Sequence, residues 1–183
     1  SPALHVAATN VRTGKIRVFT GGEITAKALL ASACLPTVFQ TIEMDDPITG
    51  KTEAYWDGGY AGNPALFPLF TADLPDDIVI VNINPLVRHD LPRTAEEIDD
   101  RINEISFNAA LLGELRSVNF VRELIAEGRM QADRMKDVYV HLIADDRLMN
   151  ELTAETKSSA SPALIARLKE AGRKAAARFL AKH

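Results

Sequence analysis

Asp57-Gly58-Gly59 follows directly on the strand-type run Glu53 to Trp56. This junction constrains the chain more than any other feature. An acidic side chain at a strand's end, followed by two glycines, demands a sharp backbone turn with little side-chain bulk beside the carboxylate. The stretch continues as Tyr60-Ala61-Gly62-Asn63-Pro64, so strand character cannot resume for several residues. Asp-Gly is also a common plain turn pair, and on its own it implies nothing more.

The surroundings read as alternating strands and helices. Leu4 to Asn10 and Lys15 to Thr20 are rich in Val, Ile, Thr and Phe, and Arg12-Thr13-Gly14 supplies a turn between them. Ile24 to Cys34 reads as a small-residue helix closed by Pro36. Phe39 to Met44 and Glu53 to Trp56 read as paired strands around Asp45-Asp46-Pro47-Ile48-Thr49-Gly50. Ile78 to Ile83 is nearly unbroken in apolar character, which predicts burial on both faces, as in a parallel sheet. Thr94-Ala95-Glu96-Glu97 is a capping box. It opens a helix reaching about Glu127, with Gly128 as its left-handed cap. Val138 to Ile143 is a further strand, and Ser161-Pro162 opens a last helix. Mixed elements of this kind favour an α/β class.

Bulk composition excludes several classes. The chain of 183 residues is 46% hydrophobic and 25% charged, the balance of a soluble globular domain. No apolar run is long enough to span a membrane, and the first residues do not read as a signal peptide. The missing initiator Met hints at a trimmed start. Cys34 is the only cysteine, so no internal disulfide is expected. The net charge of −4, without aromatic-basic interleaving, argues against a nucleic acid partner.

The possible chemistries narrow quickly. A carboxylate raised in pKa by partial burial can take the proton of a serine hydroxyl directly. Asp57 is the candidate for that role. Gly58 and Gly59 leave room for substrate, and Trp56 and Tyr60 are candidate apolar walls. No His-x-x-x-His or paired cysteines occur, and no phosphate-cradling glycine loop is present, so neither a metal nor a cofactor is expected. Adjacent pairs such as Asp45-Asp46 and Asp145-Asp146 read as turn or surface charges. His5 and His141 read as structural imidazoles in strands. Leu164, Ile165, Leu168, Gly172, Ala175, Ala176 and Phe179 form an apolar side of the last helix, flanked by basic residues. That helix either docks on its own domain or lies on an anionic membrane surface.

An ordered set of these features resembles the patatin-like phospholipase family. The set comprises Ala31-Ser32-Ala33, Pro36, Phe39, Asp57-Gly58-Gly59, Asn63 and Pro64, and it spans roughly residues 3 to 84. From Thr94 onward the likeness is only general. The resemblance implies a three-layer fold with a central, largely parallel sheet between helices, only part of which this chain would supply. It implies that residues 1–183 are the C-terminal part of a single domain, with 94–183 a mostly helical C-terminal extension. It implies a lipid acyl hydrolase with a Ser-Asp dyad, Asp57 as base, and Asn63 among the residues shaping the pocket. The family's oxyanion loop and its Gly-x-Ser-x-Gly elbow are absent from these 183 residues. The nucleophile is therefore expected upstream or on another chain. The partners that follow are a lipid ester, the segment or chain supplying the serine, a membrane surface approached peripherally from the cytoplasm, and a second copy of the chain. A catalytically inactive lipid- or protein-binding module is the alternative.

Overall fold

A computed structural model describes residues 2–131, 134–152, 156 and 161–182. The protein is mixed α/β, with two compact units interleaved along the chain. One comprises Ser1–Leu74 and Ala109–Lys136; the other comprises Pro75–Asn108 and Asp137–His183.

The first unit is built on a four-stranded sheet. Its strands are β1 (His5–Asn10), β2 (Ile16–Thr20), β3 (Ile42–Asp46) and β4 (Lys51–Asp57), in the order β2-β1-β4-β3. Every pairing in it is antiparallel. The two hairpin turns impose this on β1–β2 and β3–β4, since a short turn can only reverse the chain. Asn10 organises the first of them. Its Oδ1 accepts from the Arg12 and Thr13 amides, both at 3.0 Å. Gly14 then adopts φ +66°, a conformation that favours glycine.

Helix α1 (Ala26–Ser32) is capped by Thr25, whose hydroxyl accepts from the Ala28 amide at 3.2 Å. Ala28 and Ala31 are fully buried and let the helix lie close on the sheet. With Val6, Ala8, Phe19 and Tyr55 they form the unit's core. The rings of Phe19 and Tyr55 meet edge to face at 5.7 Å.

A polar cluster stands within this apolar setting. Arg17 donates to Asp46 (3.1 Å) and to Glu23 (2.6 Å), and its guanidinium lies over the Phe19 ring. The Tyr55 hydroxyl donates to Asp46 at 2.5 Å. Asp46 is only 3% exposed, so the sequence reading of Asp45-Asp46 as turn or surface charge is corrected for Asp46. Burial alone would raise its pKa. Hydrogen bonds from Tyr55, Arg17 and the Ile48 amide, with the charge of Arg17, outweigh burial and hold it below the usual aspartate value.

In the second unit β5 (Asp77–Asn82) and β6 (Tyr139–Ala144) pair in parallel, from Asp77 with Tyr139 to Asn82 with Ala144. This is the only parallel pairing among the described residues, so a largely parallel central sheet is not what the described strands form. Ile78 and Ile80 are buried, but Val79 and Val81 are 49% and 69% exposed. The expected burial of β5 on both faces is thus corrected to one face, because the strand's alternation leaves the other side uncovered.

Helix α2 (Ala95–Ala126) begins at the predicted capping box and is followed by Gly128 at φ +68°. Arg88 forks onto Glu104 of α2 at 2.7 and 2.6 Å and donates to the Asn150 carbonyl. It thereby ties the loop after β5 to α2 and to the short α3 (Asp146–Asn150). The last helix, α4 (Pro162–Leu180), docks on β6, with Ala175 buried and Phe179 edge-on to His141 at 5.9 Å. His141 also bonds Asp77 at 2.7 Å, the structural role expected of it.

Candidate active site

Asp57 is the last residue of β4, and four contacts fix it. It pairs with Ala8 across the β1–β4 ladder. Its amide donates to the Cys34 carbonyl at 2.8 Å, and its carbonyl accepts from the Thr9 hydroxyl at 2.8 Å. Its carboxylate accepts from the Gly59 amide at 2.7 Å and so caps a 3₁₀ turn over Gly58–Tyr60. The strand therefore ends in a carboxylate whose backbone is held on both sides.

The glycines are needed for closeness. A Cβ built at Gly58 would lie 2.3 Å from the Ala7 carbonyl oxygen and 2.7 Å from its carbon. Those are backbone atoms of the neighbouring strand and cannot swing away. The Gly58 carbonyl accepts from both the Ala61 (3.0 Å) and Gly62 (2.8 Å) amides, which completes the turn. We expect Gly58→Ala to lower unfolding free energy by about 3 kcal/mol through overpacking. Gly22→Ala, where a Cβ meets nothing within 4 Å, should change it by less than about 0.5 kcal/mol. Urea unfolding of the two variants checks this; equal effects would show that the turn is not sterically locked.

The electrostatics suit a base. Burial pushes the Asp57 carboxyl up from the usual aspartate value, and the Gly59 amide only partly opposes it. Asp57 forms no ion pair among the described residues. Its hydrogen bond to Gly59 is made through Oδ1, leaving Oδ2 as a ready acceptor. The chemistry available is proton acceptance from a hydroxyl brought to that oxygen.

Among the described residues no hydroxyl donates to the Asp57 carboxylate. Thr9 spends its proton on the Asp57 backbone. Cys34 is 2% exposed, and its Sγ donates to the Gln40 carbonyl at 3.0 Å. Burial, and secondarily the charge of Asp57, push the thiol up, so it stays protonated and inert. Ser32 is the half-buried last residue of α1.

The other predicted site residues distribute unevenly. Gly58 and Gly59 are buried in the turn, and Tyr60 closes it, half-buried. Asn63 is half-buried and joins Pro64 through a cis peptide bond. Trp56, half-buried, immediately precedes Asp57 in β4. Sequence reasoning missed Glu114 of α2. It accepts from the Leu66 amide at 2.9 Å and so anchors the segment leaving the turn. Burial pushes its carboxyl up, against the opposing Leu66 and Phe67 amides. Its setting in a long charged helix gave no signal of this. Lys136 makes a second anchor, donating to the carbonyls of Leu69 (3.2 Å), Thr71 (2.9 Å) and Leu74 (2.7 Å).

Among the described residues, no cluster of three or more His, Cys, Asp or Glu is arranged to hold a metal. No helix there is long and apolar enough to cross a membrane. No protein-family model matches the chain, and no curated protein matches it.

Proposed function

We propose that this chain carries the base of a patatin-like lipid acyl hydrolase, a serine esterase working through a Ser-Asp dyad. One observation carries the reading: a half-buried carboxylate with raised pKa sits on a locked glycine turn, with one oxygen unclaimed. In the proposed reaction a serine from an upstream segment or a second chain approaches that oxygen. Asp57 takes the hydroxyl proton as the serine oxygen attacks the ester carbonyl. The proton passes to the departing alcohol as the acyl-enzyme forms. Asp57 then takes a proton from water as the water oxygen attacks the acyl carbon, and passes it to the serine oxygen as the bond to the acyl group breaks and the acid leaves. The family's three-layer arrangement belongs to this assembled form.

The same reading brings a lipid ester as substrate, peripheral contact with a lipid surface from the cytoplasmic side, and no cofactor or nucleic acid. A second reading, a binding module without turnover, is favoured by the absence of any hydroxyl donating to the Asp57 carboxylate among the described residues.

The discriminating experiment measures hydrolysis of a short-chain nitrophenyl ester. The 183-residue chain alone should show none above background. The chain joined to the upstream segment or second chain that the reading requires should hydrolyse it and be labelled by a phosphonate on one serine of that segment or chain. Phosphonate-sensitive turnover by the short chain would overturn the division of the dyad. An inert, unlabelled joined form would favour the binding module.

A further inference from the structure

The second unit contains a cavity that the proposed hydrolysis does not use. It opens at the carboxyl ends of β5 and β6, where ligands characteristically bind in parallel α/β sheets, and it encloses about 560 Å³. Its walls are apolar: Val81 and Ile83 at the end of β5, Ile143 of β6, Met149 of α3, and Leu168 of α4. Gly172 of α4 also faces it, and a Cβ there would meet no atom within 4 Å. The few polar groups at its rim are turned to local tasks. Asn82 donates to the Asn84 carbonyl at 2.7 Å, and Asp145 accepts from the Leu148 amide at 3.2 Å. The volume lies within the usual range for small-molecule sites. Apolar walls of this extent select a hydrocarbon.

A second cavity, of about 460 Å³, adjoins the first. The two share Ile143, Ala144 and Ala175. The second adds two cations, Arg178 and Lys182. Arg178 lies 3.8 Å from Asp145, a long contact for an ion pair, and its side chain is 60% exposed. Lys182 has no carboxylate within ion-pair distance among the described residues. The helix around them is basic, with Arg167, Lys169, Arg173 and Lys174 against Glu170. An apolar chamber thus shares part of its lining with a neighbouring one that carries two cations.

We infer that these joined cavities bind a single-chain anionic amphiphile, a fatty acid carboxylate. The tail occupies the chamber under Leu168 and Gly172, and the carboxylate meets Arg178 and Lys182. Burial of the chain's methylenes supplies most of the affinity. Pairing the carboxylate with two exposed cations adds less, because solvent screens it. The site stands on the cavities alone and does not depend on Asp57 or on a serine.

The test is calorimetric titration of the 183-residue chain with dodecanoate below its micelle concentration. One saturable site is expected. Gly172→Leu fills the chamber and should weaken binding by at least about tenfold, with the melt compared to exclude unfolding. The exposed pair Arg178→Gln with Lys182→Gln is expected to keep the fold, with its melt compared as well. It should weaken dodecanoate by about threefold to tenfold and leave dodecanol unchanged. Absence of saturable binding, or affinity that survives both variants, overturns the site. So does binding that appears only with anionic phospholipid vesicles, which would mark a surface patch on α4. None of these readouts involves ester hydrolysis, so failure here leaves the hydrolase reading standing, and the reverse holds too.

Discussion

Asp57→Asn in the proposed Ser-Asp hydrolase is expected to lower turnover by about 10²–10⁴, the usual loss when a positioned base is removed. The same substitution should not lower stability. Asparagine keeps an oxygen for the Gly59 amide, so the cap on the Gly58–Tyr60 turn survives. The linkage sign points the same way. The Asp57 carboxyl is raised in the folded chain by burial, so its ionised form opposes folding. That cost sets in as pH rises from the ordinary aspartate value through the folded one, and it persists at neutral pH. Removing the charge relieves it. Kinetics and a thermal melt on the same variant therefore separate the two roles of this residue. Retained turnover would make Asp57 a turn residue only, whereas lost turnover with an unchanged or raised melt identifies a base held at a cost to stability.

The second large effect is on folding. Asp46→Ala should lower unfolding free energy by about 3 kcal/mol, in the range for breaking a buried charge pair from one side. Tyr55 is 1% exposed, and its hydroxyl would lose its acceptor. Arg17 would keep only Glu23 as a carboxylate partner. Asp46→Asn, which retains an acceptor for Tyr55, should cost less. The pH dependence runs opposite to that of Asp57. Asp46 is held below the usual aspartate value, so its contribution is present above that value and fades as pH falls through the folded one. Denaturation with urea at neutral and acid pH reads both effects. A loss for Asp46→Ala that stays constant on acidification would show that packing, not charge, sets its size.

What the sequence made legible was mostly local. Alternation and turn chemistry located the four strands of the first sheet to within a few residues. The Thr94–Glu97 box and Gly128 bounded α2, because caps are written in adjacent side chains. The turn at Asp57 was legible for the same reason. Long-range partners were not. Asp46 looks like half of an acidic turn until Arg17 and Tyr55 arrive from other strands. Glu114 looks like a solvated helix charge until the Leu66 amide is placed on it. Nor does an apolar strand announce its neighbours, and Ile78 to Ile83 suggested two covered faces where one is covered. Helix α3 spans five residues, too few for a helical period to show.

The interleaving of the two units has a consequence for how the chain can be made. Neither unit is a continuous stretch of sequence. As the polypeptide leaves the ribosome, the sheet bearing Asp57 can form early, since its strands all precede Gly58. The segment that leaves the turn is fastened only when Glu114 and Lys136 emerge. Strand β5 waits still longer, unpaired, for β6 to be synthesised. Pairings between such distant positions form slowly and leave apolar edges open in the interval. The nascent chain is therefore most vulnerable to misassociation between the synthesis of Asn82 and that of Ala144, the interval in which chaperone occupancy should be highest.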